Sequence, residues 1–393
     1  MPRPRGVAPP ELSPPLDGTG LEGRADTEVG VGEGQIESNH SASRSVTVGT
    51  LAESATLPLV VRPRRSSDAG AEALAELLDR ERVLVRGWLR SHGAVLFRGF
   101  SLGGAEGFER VAQAIEPNLG SEYLGTSPRN ALTTHVYTAS ELPPFYPIPQ
   151  HCEMSFLAQP PRLLFFAALE PNRSAGGETP LADFRAVWRD LDPAVRARFE
   201  ELGVRIVRNY AGPGAGSRVD PWKLKRWDEM FGTTDPAEVE RRARAEGMEP
   251  TWKDHDVLTL VNVQPAMRPH PETGEPVWFN HAQVFHPSAA GGEYRRIAAR
   301  QPRLRWRLLA RVADGLVRVR RRFSSDDELP MNVTYGDGTP IPDADLERVR
   351  DAIWKNLVVY RWRQDDVLVV DNLAISHGRL PYRGRRTIAV AWA

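Results

Sequence analysis

The chain has 393 residues, and its 51 Lys and Arg are matched by 51 Asp and Glu, so it is not a polycation built to coat nucleic acid or anionic lipid. A hydrophobic content of 41% supports a sizeable core, in one large enzyme domain or two modest ones. The single cysteine, Cys152, excludes an internal disulfide and a four-cysteine zinc site.

Residues 1–54 are rich in Pro, Gly, Ser and Glu and predict a disordered N-terminal tail, leaving residues 55–393 as the folded domain. Arg3 and Arg5 have no apolar run behind them, so the start does not read as a secretory signal. No stretch approaches the ~18 apolar residues of a membrane span, and the expected location is cytoplasmic. From Thr56, TLPLVV predicts a strand, and AEALAELLDRERVLVRGWLRS repeats apolar residues at helical spacing. GAVLFRGF reads as a strand after Gly93, and GGAEGFERVAQAI as a further helix. Beyond residue 130, short apolar runs alternate with Pro, Gly, Asn and Asp: LLFFAAL, VLTLVNV, PVWFN, VLVVDN and TIAVAWA. Many short strands with turn signals predict a mainly β fold with flanking helices.

Residues 295–323 stand apart as an Arg-rich helical insert, with eleven arginines and one acid, Asp314. Leu304, Leu308, Val312, Leu316, Val319 and Phe323 recur at three- or four-residue spacing. That predicts an amphipathic helix with these residues inward and a cationic outer face, although Gly315 argues against one unbroken helix.

Two histidines lie two residues before a carboxylate. His270 sits in RPHPETGEP, whose Pro and Thr-Gly elements spell a loop. His151 and Glu153 sit in PIPQHCEMSF, between prolines that exclude a helix interior. In a strand they share a face and could grip one ion, but the pair alone reads more readily as a polar strand end. His377, after VLVVDNLAIS, completes two histidines and a carboxylate. That is the facial triad of non-haem Fe(II), which leaves positions for a bidentate 2-oxo acid and for dioxygen. Arg386 follows the PYRG turn, and a hairpin from His377 would bring its guanidinium to a remote carboxylate. Cys152 should point away from the metal into packing. His281 and His286 read as surface or core-edge residues rather than a second metal site.

From about Gly93 to the C-terminus the chain resembles the TauD/TfdA group of Fe(II)/2-oxoglutarate dioxygenases, most of all syringomycin-biosynthesis-type amino-acid hydroxylases. The text that carries the likeness is GAVLFRGF, HCEMSF, GGETPLADFRAVWRDL, HPETGEPVWFNHAQVFHPS, NVTYGDGTPI and VLVVDNLAISHGRLPYRGRRTIAVAWA. The resemblance implies a double-stranded β-helix (jelly roll) with iron at its mouth. It implies His151, Glu153 and His377 as ligands, with Arg386 and Thr179 as 2-oxoglutarate contacts. It also suggests Phe156, Phe279 and Asn280 for the substrate cavity. Sulfonate-binding members carry an arginine four residues after the cosubstrate arginine, where this chain has Val390, so a taurine-like substrate is not expected. Halogenases replace the ligand carboxylate, and Glu153 favours oxygenation.

The expected reaction is hydroxylation of an unactivated C–H of an amino-acid-like substrate in specialised metabolism. An acidic peptidyl carrier protein is a candidate partner for the Arg-rich face, and neither membrane nor nucleic acid is expected as one. The same centre could instead desaturate, epoxidise or cyclise. A metal-free binding module with a basic docking face is the non-enzymatic alternative.

Overall fold

The computed structural model describes residues 45–52, 55–213, 225–323 and 325–393, so most of the expected tail lies outside the described residues. Its last part does not. β1 (Val46–Thr50) pairs antiparallel with β2 (Leu59–Pro63), which corrects the boundary at residue 54. Alternating Val46 and Val48 supply the β-branched surface that composition over the whole segment conceals, and Val46 is buried.

Helices Ala71–Arg80 and Arg82–His92 follow, the second ended by Gly93 in the left-handed region at φ 71°. A Cβ there would meet the Ile375 side chain at 2.4 Å, so the turn needs glycine for space as well as for backbone. β3 (Ala94–Phe97) leads to helix Ala105–Ile115, then to β4 (Tyr137–Thr138), β5 (Ile148–His151), β6 (Leu163–Glu170) and β7 (Leu181–Asp183). Next come β8 (Val204–Tyr210), β9 (Glu249–Lys253), β10 (Val257–Gln264), β11 (Met267–Pro269) and β12 (Pro276–Trp278). The chain closes with β13 (Met331–Tyr335), β14 (Leu357–Val358), β15 (Val367–Asp371), β16 (Ile375–Arg379) and β17 (Thr387–Trp392).

A seven-stranded sheet runs β1-β2-β3-β15-β6-β17-β4, antiparallel except for the β2–β3 pair. A four-stranded sheet runs β14-β7-β16-β5, and a second one β13-β8-β10-β9. Strand alternation sorts the larger sheet into two faces. Leu368, Val370, Phe166 and Val390 join one core with Leu181 and Ile375 of the first four-stranded sheet. Val367, Val369, Phe165 and Ala391 pack instead beneath the N-terminal helices, with Leu74, Leu78, Phe108 and Val111. The mainly β arrangement with flanking helices is the one expected.

The Arg-rich segment differs from expectation. It forms two helices, Ala289–Arg300 and Leu304–Arg320, broken near Pro302 and continuous through Gly315. The longer helix buries Trp306 and Ala310, and Trp306 stacks on Tyr294 with centroids 6.1 Å apart. The predicted inward stripe faces solvent: Leu304, Leu308, Val312, Leu316, Val319 and Phe323 are each 49–80% exposed. The helix has two apolar faces, and the one carrying the large indole packs.

Candidate active site

His151 is the last residue of β5 and lies opposite His377 of β16 in the antiparallel register, which sets their rings 4.4 Å apart. The chain then leaves the strand. Met154 has φ 52°, and the turn it makes aims Glu153 back toward the two imidazoles. Glu153 is therefore placed by a turn and not by strand alternation. Asn372, at the end of β15, clamps that turn: Glu153 N–H donates to its Oδ1 at 2.6 Å, and its Nδ2 donates to the Glu153 carbonyl at 3.0 Å.

The Nε2 atoms of His151 and His377 lie 3.9 and 3.7 Å from Glu153 Oε2, and one ligand atom from each of the three falls within 4.8 Å of the others. His151 Nδ1 lies 2.9 Å from the Pro149 carbonyl, an acceptor that assigns the proton to Nδ1 and frees Nε2 for a metal. Burial and the neighbouring His377 bring the His151 pKa down to about 4, so its ring is neutral at physiological pH. Burial would raise Glu153, but the Arg129 guanidinium and the imidazoles hold it ionised, well below the usual carboxylate range. Two imidazoles and one carboxylate form the donor set that fits Fe(II).

The three residues line a cavity of about 310 Å³, shared with Phe156, Phe166, Thr179, His281, Phe285 and Arg386. Arg386 precedes β17, in the larger sheet, while His377 is in β16 of a smaller one, so the two are not the arms of a hairpin. The crossing between sheets still brings Arg386 to Thr179: Nη2 donates to Oγ1 at 3.1 Å and Nε to the Gly177 carbonyl at 2.7 Å. Trp362 Nε1 also donates to Thr179 Oγ1, at 3.0 Å. Gly177, at φ 81°, allows this approach, because a Cβ would lie 3.0 Å from Arg386 Cδ. Burial and the nearby Arg379 lower the Arg386 pKa to about 10, still cationic at neutral pH.

Phe156 reaches the cavity because the Met154 turn interrupts the strand. Phe279 and Asn280 do not line it. Phe279 is buried in the core, and Asn280 bonds the Ala266 carbonyl and the Ala282 N–H, fixing the backbone there. His281 and His286 are buried rather than superficial, at 3% and 4% exposure. His281 pairs with Ser155 at 2.7 Å, with its ring 5.6 Å from that of His151, and among the described residues only His151, Glu153 and His377 form a metal-binding group. Cys152 is fully buried in the core, and His270 bonds Asp371 and the backbone of its own hairpin turn. Val390 is buried in β17. Sequence reasoning missed Tyr123 and Arg129, both bound to Glu153, because SEYLGTSPRN carries no periodic or motif signal. Asn372 lay inside the quoted VLVVDN text, where its amide had no evident partner.

Residues 61–392 match the family described as taurine catabolism dioxygenase TauD, TfdA family. The chain belongs to that family, and it is an iron(II)- and 2-oxoglutarate-dependent dioxygenase. It is 30% identical over 304 residues to the dapdiamide synthesis protein DdaC of Enterobacter agglomerans, spanning 77% of this chain and 82% of that one. It is 28% identical over 347 residues to a clavaminate synthase-like protein of Arabidopsis thaliana, spanning 86% and 93%. Among solved structures it is similar to PvcB of Pseudomonas aeruginosa, with a TM-score of 0.48, 15% identity and coverage of 88% and 91%. No described helix is long and apolar enough to cross a membrane.

Proposed function

We propose that this dioxygenase hydroxylates an unactivated C–H of an amino-acid substrate, free or tethered to a carrier protein, in specialised metabolism. In this reading His151, Glu153 and His377 hold the iron, and Arg386 and Thr179 receive the far carboxylate of 2-oxoglutarate. The sheets β1-β2-β3-β15-β6-β17-β4 and β14-β7-β16-β5, sharing one core, are read as a double-stranded β-helix with this site at its mouth. The main support is that the triad and the Arg386–Thr179 pair line one cavity. The relationship to DdaC, a protein of dapdiamide synthesis, supports the metabolic setting.

Iron held there would couple dioxygen to the oxidative decarboxylation of 2-oxoglutarate, one oxygen atom going into succinate as carbon dioxide leaves and the other into the substrate C–H bond. The chain's own contribution is placement. Pro149 keeps the His151 proton on Nδ1, and Asn372 fixes the backbone that carries Glu153. Phe166, 5.0 Å from the His377 ring, and Phe156 with Phe285 wall the cavity with apolar surface that excludes water. Anaerobic addition of Fe(II) and 2-oxoglutarate should give a visible charge-transfer band, absent in His151→Ala and His377→Ala. Aerobic screening of amino acids should give stoichiometric succinate and a product heavier by one oxygen. A product lighter by two hydrogens would assign desaturation or cyclisation instead, and full persistence of the band in both variants would remove the ligand assignment.

The partner in the tethered case is read as an acidic carrier protein docked on the helix Leu304–Arg320. That helix presents its apolar stripe to solvent, and Arg303, Arg307, Arg311, Arg320 and Arg322 have no acidic partner among the described residues. Val317 and Arg320 also line the cavity, which supports reading this helix as adjoining its entrance. Leu308→Ser with Arg311→Glu should lower kcat/KM on a tethered aminoacyl substrate and leave turnover of the free amino acid unchanged. Equal effects on both would sink the docking idea.

A further inference from the structure

Arg129 lies on the loop between the helix Ala105–Ile115 and β4, and it lines the same cavity as the triad. Its side chain is only 5% exposed. One nitrogen, Nη2, is engaged: it donates to Glu153 Oε2 at 2.8 Å and to the Tyr123 hydroxyl at 3.0 Å. Tyr123 in turn donates to Glu153 Oε1 at 3.1 Å. The other two nitrogens, Nε and Nη1, are buried and have no hydrogen-bond partner among the described residues. The guanidinium lies over the Tyr123 ring, with Cζ 4.2 Å from its centroid and 5.9 Å from that of Trp392. It is a rigidly placed cation with most of its donor capacity unspent. Buried donors are almost always satisfied, and leaving several unmade is costly, so an acceptor that belongs at this place is missing from the chain itself.

Charge leads to the same conclusion. With Fe(II) and dianionic 2-oxoglutarate in place, Glu153 and Arg386 bring the iron centre to neutrality, and Arg129 is the charge left over. A second cation on the same ring adds to the excess, since Lys225 Nζ lies 5.1 Å from the Tyr123 centroid. Arg379 does not serve as a spare anion receptor, because its Nη1 and Nη2 are occupied by the carbonyls of Leu142, Pro143 and Tyr146. A buried guanidinium with unspent donors, whose one ionic partner is itself a candidate metal ligand, is a receptor for an anion.

We propose that Arg129 binds a carboxylate of the substrate through Nε or Nη1, so that one side chain links the substrate's anion to the ligand carboxylate of Glu153. This deepens the oxygenase reading above and rests on it. The substrate class is therefore an amino acid that carries a free carboxylate into the cavity. If it is tethered as a thioester, that carboxylate is on its side chain. Arg129 would thus set how far the target C–H stands from the triad, because it is fixed to both.

The test uses the full chain, loaded anaerobically with Fe(II) and 2-oxoglutarate. The probes are the standard L-amino acids, each as free acid and as α-carboxamide, with aspartate and glutamate also compared with asparagine and glutamine. Binding is read as the dissociation constant from perturbation of the charge-transfer band and from calorimetry. At least one acid should bind about tenfold or more tighter than its matched amide, the margin expected of a charged hydrogen bond in a buried site. Arg129→Met should erase that margin by weakening the acid while leaving the amide's affinity unchanged. Arg129→Lys, which keeps a cation for Glu153 but loses the second donor arm, should erase most of it even if Arg129→Met takes up iron poorly. An acid preference that survives in both variants overturns the proposal, as does wild-type protein that forms the band but binds acids and amides alike or binds none. Wild-type protein that forms no band at all would instead count against the underlying oxygenase reading.

Discussion

Replacing Asn372 by Ala should uncouple the fold from the metal site. Asn372 is fully buried and touches none of the three candidate ligand atoms, yet its side chain makes three hydrogen bonds. Two close on the Glu153 backbone, at 2.6 and 3.0 Å, and the third reaches the Pro161 carbonyl at 2.7 Å. The variant leaves one N–H and two carbonyls without partners in the interior, at about 1–3 kcal/mol each before relaxation. Water entering the vacated volume offsets part of this, so a net loss of about 3 kcal/mol is expected in the metal-free protein. Released from its clamp, the Met154 turn no longer fixes Glu153 against the imidazoles, and iron affinity should fall by about tenfold to a hundredfold, the range for losing a residue that orients a ligand. Asn372→Asp keeps the 2.6 Å acceptor but sets a carboxylate against two carbonyls, so it should rescue neither quantity. Urea unfolding of the metal-free protein measures the first, and anaerobic Fe(II) titration of the 2-oxoglutarate complex measures the second. Unchanged iron affinity in an Asn372→Ala protein of lowered stability would refute the positioning role. Unchanged stability would refute the hydrogen-bond accounting itself.

Arg386→Ala should raise the 2-oxoglutarate requirement by about 2–5 kcal/mol in binding, while iron uptake is much less affected; an unchanged requirement would move the carboxylate anchor to another residue. Stability of the metal-free protein should fall with pH. Burial with His377 brings His151 to about 4, and burial with Arg350 brings His286 to about 3, so both stay neutral in the fold while the unfolded chain binds their protons below about pH 6.5. Each steepens the loss by up to about 1.4 kcal/mol per pH unit between roughly pH 6 and 4, so the wild-type urea midpoint should drop more from pH 7 to pH 5 than that of His286→Gln, and parallel drops would contradict the assignment. Deleting residues 1–44 should leave the thermal midpoint in place, whereas deleting 1–50 removes β1 from the sheet edge and buried Val46 with it and should lower the midpoint by several degrees; equal midpoints would show β1 to be dispensable.

The strands were legible wherever a continuous apolar run was bounded by turn residues, as in LLFFAAL and VLVVDN, because burial on both faces leaves that plain a mark. The triad was legible by residue type and by likeness, but not by geometry. Strand alternation placed Glu153 on the right side for the wrong reason, since a left-handed Met154 is invisible in the sequence and does the aiming. Arg386 lines the cavity although the expected hairpin is absent, because proximity across two sheets depends on tertiary closure rather than on the local turn. Phe279 and Asn280 looked like cavity residues because they sit in matching text. Whether a residue in such text faces a cavity or the backbone behind it is decided by packing alone. For the helix Leu304–Arg320, periodicity identified an apolar stripe but could not rank it against the second one, formed by Trp306, Ala310 and Val317.

The inversion of that helix changes what its arginines mean. With the leucine stripe inward, they would be a solvated face and need no partner. With the stripe outward, apolar side chains and cations share one exposed surface, which a monomeric protein gains nothing by displaying. Pairing two copies through this stripe would bring like charges together, so an acidic partner fits it better than a second copy does. Cations then recur from rim to floor of the cavity: Arg320 at its edge, Arg129 on the wall and Arg386 beside Thr179. Their burial assigns them different physics. Charges on the rim act through water, over about 10 Å at 0.1 M salt, and in the proposed reading would govern encounter; Arg129 and Arg386 are buried, and in the same reading would govern how tightly and where a bound carboxylate sits. On that reading added salt should weaken capture of a tethered substrate and leave the 2-oxoglutarate requirement almost untouched, and equal salt effects on both would refute the division between rim and interior.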